Sequence, residues 1–132
     1  MTRDRAERGG SGTGRAARVW AAWIAGVLPW FLTVHAAPLI SEFMASNLSL
    51  RLDEDGDPSD WIELHNPGPD GLSLLGWSLT DDATQPRKWQ FPERYLEPGA
   101  YLVVFASGKD RSGAGNLHTN FRLEASGEYL GL

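Results

Sequence analysis

The chain has 132 residues, a formal net charge of −5, six Trp, fifteen Gly, eight Pro and no Cys. Its length allows one domain of ordinary size within this chain and leaves no room for a multidomain enzyme. The missing cysteines exclude disulfide frameworks, thiolate metal sites and cysteine nucleophiles together. A hydrophobic content of 42% with 22% charged residues is globular composition, not disorder.

The average charge conceals two segments. Residues 1–36 carry five Arg against Asp4 and Glu7, a net charge of +3. Residues 37–132 carry seven Lys/Arg against fifteen Asp/Glu, a net charge of −8. Within the first segment, GGSGTG (9–14) is flexible composition. Then VWAAWIAGVLPWFLTV (19–34) runs 16 residues without a charge. A basic flank, an apolar run and the small residues Val34 and Ala36 predict a secretory signal peptide cleaved after Ala36. A spanning helix needs about 20 residues, and Pro29 would kink one. An uncleaved anchor is the alternative. A buried core helix fits less well, because this stretch lacks a polar stripe. No adjacent Arg pair supports a twin-arginine route.

From Leu39 onward short apolar runs are split by turn residues, the pattern of an all-β domain. LISEFMAS (39–46) is the first predicted strand. DWIELHN (60–66) alternates, with Ile62 and Leu64 on one face and Trp61 and Glu63 on the other. Asn66-Pro67-Gly68-Pro69-Asp70-Gly71 consists of turn formers. GWSLTD (76–81) and KWQF (88–91) place Trp77 with Leu79 and Trp89 with Phe91 on single faces. Glu97-Pro98-Gly99 matches a type II turn, where Gly takes positive φ. AYLVVFA (100–106) is apolar on both faces and is expected to be a central, fully covered strand. HTNFRL (118–123) puts Thr119, Phe121 and Leu123 on one side, and EYLGL (128–132) follows the Ser126-Gly127 turn. The strand lengths and turn spacing predict an immunoglobulin-like antiparallel β-sandwich over residues 37–132, with a small barrel as the alternative. Without a disulfide, Trp61, Trp77 and Trp89 are expected to supply core volume. Ending at Leu132, inside an edge-capable strand, suggests a fragment of a longer protein.

LISEFMASN, DEDGDPSDWIELHNPG, LLGWSLTDD, KWQFP, LEPGAYLVVFASGKDR and LHTNFRLEASGEYLGL follow one another in an order and spacing that resembles the lamin-tail domain family, in its bacterial secreted form. The resemblance spans about residues 39–132. It implies an immunoglobulin-like β-sandwich whose strands continue past GEYLGL. It also implies a non-catalytic binding or tethering module at the front of a larger exported protein, sometimes ahead of a spore-coat-kinase-like (CotH-type) domain. It implies no catalytic residues.

The densest polar cluster is Asp53-Glu54-Asp55-Gly56-Asp57, followed by Ser59 and Asp60. Alternating oxygen ligands around a Gly turn suit a hard cation, so Asp53, Asp55 and Asp57 are candidate calcium ligands. The EF-hand pattern fails, because Pro58 stands where that loop has Gly and Leu64 where it has Glu. A solvated acidic turn is the plainer reading. His65 and His118 are expected to cap or to make surface hydrogen bonds, and Glu63 to lie on a solvated or sheet-edge face. No G-x-S-x-G, H-E-x-x-H or Walker motif occurs, so no catalytic residue is assigned. Arg87-Lys88 and Lys109–Arg111 read as solvated loop charges. A net −8 opposes nucleic-acid binding, which phosphate neutralisation drives. GKDRSGAGN (108–116) reads as a flexible loop. Asn47-Leu48-Ser49 is a glycosylation sequon, relevant only in a eukaryotic secretory pathway.

The expected function is a secreted or cell-surface, non-enzymatic interaction domain with no required cofactor. Its expected partner is an extracellular or envelope protein or glycan, with a downstream domain on the same polypeptide and membrane contact only during export. The alternatives are the accessory portion of an exported kinase or hydrolase, and a weakly calcium-dependent adhesive or structural module. Recognition is expected at loops 53–60, 66–71, 81–87 and 107–117.

Overall fold

The computed structural model describes residues 37–132. The leader, with Val34 and Ala36, lies outside the described residues. Eight strands and no helix make up the described chain: β1 (Leu39–Met44), β2 (Asp60–His65), β3 (Leu72–Ser73), β4 (Ser78–Leu79), β5 (Trp89–Gln90), β6 (Tyr95–Leu96), β7 (Tyr101–Ala106) and β8 (Leu117–His118). They form an all-β, immunoglobulin-like sandwich. One layer is a four-stranded sheet in the order β1-β2-β7-β8. The β3–β6 and β4–β5 ribbons supply the rest of the strand pairing.

Register follows side-chain periodicity. Ile62 pairs with Val104 and Leu64 with Leu102, while Trp61 pairs with Phe105 and His65 with Tyr101. Successive residues point to opposite faces, so the first pairs face inward. Ile62, Leu64 and Val104 join Leu74, Leu79, Trp89, Phe91, Leu117, Phe121 and Leu123 in the buried core. Trp89 and Phe91 meet edge-to-face at 5.0 Å, a favoured aromatic geometry.

Of Trp61, Trp77 and Trp89, only Trp89 belongs to that buried core, with Trp77 half-buried against it. Trp61 is buried on the opposite face of the sheet, beside Met44 and Phe105 in register. The strand phase forces this, because its neighbour Ile62 already points inward. β7 is central, as its sequence predicts, but its covering is incomplete. Val104, Phe105 and Ala106 are buried, whereas Tyr101 is exposed and stacks on His65 at 4.3 Å.

Two predicted strands are shorter than their alternation suggests. Thr119, Phe121 and Leu123 are all buried as expected, yet only Leu117 and His118 join the ladder. They run parallel, not antiparallel, to β7. After that the Thr119 hydroxyl donates to the Phe121 carbonyl at 2.7 Å, and pairing continues only as the isolated Ser107–Arg122 bridge. At 128–132 the pairing reduces to one bridge, Gly131 with Thr80. The β3–β6 pair has no counterpart in the sequence reading, since two residues give no readable period.

Turn chemistry is closer to expectation. The Ala100 N–H donates to the Glu97 carbonyl at 3.0 Å, with Gly99 at φ 69° in the position a type II turn reserves for glycine. Asn66, wholly buried, anchors the neighbouring turn. Its amide donates to the carbonyls of Asp70, Leu96 and Glu97, and its carbonyl oxygen accepts the Gly68 N–H.

Candidate functional site

β2 leaves one end of the sheet where β7 arrives, since Asp60 pairs with Ala106. The segments 45–59 and 107–116 therefore emerge side by side, although more than fifty residues separate the groups they bring together. The acidic run and the basic run meet there.

Asp53 organises the first loop. Its Oδ1 accepts the N–H groups of Asp55 and Asp57 at 3.0 Å each, and its Oδ2 accepts the Ser59 hydroxyl at 2.8 Å. The Gly56 N–H donates to the Asp53 carbonyl, with Gly56 at φ 81°. This curl turns Asp53, Asp55 and Asp57 toward one point, with an oxygen of each within 4.8 Å of the others. At that point sits the Lys109 ammonium, 2.6 Å from Asp53, 2.6 Å from Asp55 and 2.9 Å from Asp57. The three candidate calcium ligands are thus together, and the chain's own cation lies among them. An incoming Ca²⁺ would have to displace it.

The electrostatics are mutual. Burial alone would push the Asp53 carboxyl up. The hydrogen bonds from Lys109, Ser59 and the loop N–H groups outweigh that and hold it well below the usual carboxylate range. Desolvation disfavours the Lys109 ammonium, but the three carboxylates more than compensate and raise it well above an ordinary lysine. The Asp55 carboxyl is lowered by Lys109 first and then by Arg111.

A second network lies beside the first. Glu54 accepts from Asn116 Nδ2 at 2.9 Å and from Arg111 Nη1 at 3.1 Å, and its oxygens lie 2.9 and 3.0 Å from His118 Nε2. The Asn116 bond is the largest of the influences that bring the Glu54 carboxyl down to about 2. His118 Nδ1 lies 2.8 Å from Ser107 Oγ. A carboxylate accepts only, so the partners assign the proton to Nε2. Nδ1 then accepts the Ser107 hydroxyl. His118 is wholly buried, with its ring stacked 5.2 Å from Phe105. This departs from the capping or surface role expected of it. Its apolar neighbours in sequence place it in a strand, and only the pairing of β8 with β7 puts it under the acidic loop.

Lys109 and Arg111 also depart from expectation, being ion-paired instead of solvated. The 108–116 loop is fastened further by Arg94, whose Nη2 donates to the carbonyls of Gly113 and Gly115 at 2.8 Å each. The complementary signs of DEDGD and KDR are the signal that could have paired the two loops. Elsewhere, Lys88 pairs with Asp81 and sits 5.5 Å from the Phe121 ring centroid. Glu63 accepts the Ser41 hydroxyl at 2.7 Å on the sheet's outer face. Loops 66–71 and 81–87 do not join the 53–59 and 107–116 cluster.

Buried Asn47 shapes the start of this end. Its amide donates to the carbonyls of Arg51 and Ser59, and its carbonyl oxygen accepts the Leu50 N–H. The folded domain therefore does not present the Asn47 sequon to a glycosyl donor. The tight loop that Asn47 closes leaves Leu48 and Leu50 85% and 79% exposed, followed by exposed Leu52.

A two-layer sandwich with no assigned catalytic group and a charge-locked pair of loops at one end defines a β-sandwich domain of the immunoglobulin-like class. A family model described as Lamin Tail Domain matches residues 35–131, and the chain belongs to that family. Neither the curated proteins nor the solved structures searched give a match.

Proposed function

We propose that residues 37–132 are a non-catalytic binding or tethering module of an exported protein, recognising an extracellular or envelope component through the end built by segments 45–59 and 107–116. One observation carries the reading. Two loops distant in sequence are locked into one surface by ion pairs and buried hydrogen bonds, while the adjoining Leu48 and Leu50 project into solvent. A preorganised surface loses little entropy on binding, and clustered exposed apolar groups mark interaction sites. Ser107, His118 and Glu54 contain the elements of a nucleophile relay. However, Ser107 Oγ also accepts the Lys109 N–H at 3.2 Å and the imidazole is enclosed, which supports a fastening role instead.

The reading requires no cofactor, since Lys109 lies among the three carboxylates and Arg111 also pairs with Asp55. The leader composition supports export, and a cell-surface or secreted location follows from it. Retention of the chain on isolated cell-envelope and matrix material tests the reading. Leu48→Ser/Leu50→Ser is expected to abolish retention with melting unchanged within about 0.5 kcal/mol, as for other exposed sites. Equal retention of the variant would remove this surface from the proposal.

A further inference from the structure

A cavity of about 220 Å³ opens at the same end of the sandwich, lined by Asp57 and Ser59 from the first loop, Asp60 at the start of β2, Ser107 just after β7, and Arg122. Its size is below the roughly 300–1,000 Å³ usual for drug-sized ligands, so its occupant is small. The lining carries both signs of charge.

Arg122 is oriented by a backbone carbonyl and makes no ion pair among the described residues. Its Nε donates to the Ser107 carbonyl at 2.9 Å, and Ser107 and Arg122 form an antiparallel bridge. The ion pairs among the described residues run through Lys88, Lys109 and Arg111, not through Arg122. A guanidinium anchored at Nε keeps its two terminal nitrogens for a fork onto a carboxylate. The remaining charged groups of the lining are acidic. Asp57 contacts Lys109 through Oδ2 at 2.9 Å, and Asp60 accepts the Asn47 N–H through Oδ1 at 2.8 Å. Each therefore keeps one oxygen uncommitted among the described residues.

We infer that this cavity binds a small zwitterion, an α-amino acid or dipeptide with a free ammonium and a free carboxylate. The inference names a ligand class for the end assigned above to recognition, and it rests on that reading. A simple anion would gain Arg122 but meet Asp57 and Asp60. A simple cation would gain the carboxylates but meet Arg122. Only a ligand carrying both charges matches both signs of the lining. The cavity is half-open to water, which weakens each charged contact, so affinity on the order of 1 mM is expected.

The test is an NMR titration of the chain with alanyl-alanine, N-acetylalanine and alaninamide. Saturable shifts of the Ser107 and Arg122 amides with alanyl-alanine, at least about tenfold weaker with either singly charged analogue, are the expected result. Arg122→Gln and Arg122→Lys are each expected to weaken alanyl-alanine binding by a similar factor, since lysine keeps the charge but loses the fork. No saturable shift, or equal responses to all three ligands, overturns the inference whether or not the variants fold. Undiminished binding by a folded Arg122→Gln chain overturns it too. Envelope retention that depends on Leu48 and Leu50, without alanyl-alanine binding, overturns this inference and leaves the module reading standing.

Discussion

At the scale of single residues, Lys109 is the side chain on which the loop end depends. Its ammonium meets three carboxylates, and the side chain of Asp53 among them is completely buried. Replacing a charge opposite a buried partner leaves that partner desolvated and unpaired. Lys109→Met is therefore expected to lower stability by about 2 kcal/mol, read as a shift of the thermal midpoint. The companion expectation is that melting of the wild-type chain is the same with calcium and with chelator. A calcium-dependent rise would mean that Ca²⁺ displaces the ammonium. Glu54 sets the acid limit of the same end. Its folded-state value of about 2 lies below its ordinary value of 4.5. Its contribution is thus complete above about pH 4.5 and is lost as pH falls toward 2, because the unfolded chain takes up the proton first. Asp53, also depressed, adds in the same direction. Midpoints measured from pH 6 to pH 2 should fall over that window, and Glu54→Gln should flatten the fall.

At the scale of elements, turns and loops differ in how local their causes are. The Glu97–Ala100 turn is written in four consecutive residues, so it could be read without neighbours. The 66–71 turn is recognisable as a turn from its prolines and glycines. Its attachment is not, because the Asn66 amide reaches the Leu96 and Glu97 carbonyls thirty residues away. Asn66→Ala leaves these buried acceptors without a donor and is expected to cost about 2–3 kcal/mol, checked by denaturant midpoint at unchanged m-value. The 107–116 loop shows the opposite error. Its glycines suggest freedom, yet Arg94, Lys109, Arg111 and Asn116 hold it through partners that local composition does not reveal. His118 is the same case within a strand. Alternation places it on a face, but only the parallel pairing of Leu117–His118 with β7 brings Glu54 over it.

At the scale of the whole molecule, stability in the described domain rests on one core without disulfides. Leu64 belongs to the four-stranded sheet and Leu79 to the β4–β5 ribbon, and both are fully buried in the same cluster. Leu64→Ala and Leu79→Ala are each expected to cost about 3 kcal/mol. Both should shift one cooperative transition, with far-UV and tryptophan signals coinciding. A separate early transition for Leu79→Ala would show that the ribbon unfolds alone.

The amino-acid sequence by itself determined the all-β class, most strand positions, the inward set Ile62, Leu64, Trp89, Phe91, Phe121 and Leu123, the type II turn and the family. These depend on a period of two and on the φ preferences of Gly and Pro, which are properties of adjacent residues. The tertiary structure alone decided that Trp61 lies on the outer face and that β8 runs parallel. It also decided that the acidic run is closed by Lys109 and His118, and that Arg122 lines one cavity with Asp57 and Asp60. Those outcomes depend on which distant strands pair and at what register, and no local pattern carries that information. The acidic run 53–57, read from the sequence most plainly as a solvated turn, is in part an internal fastening.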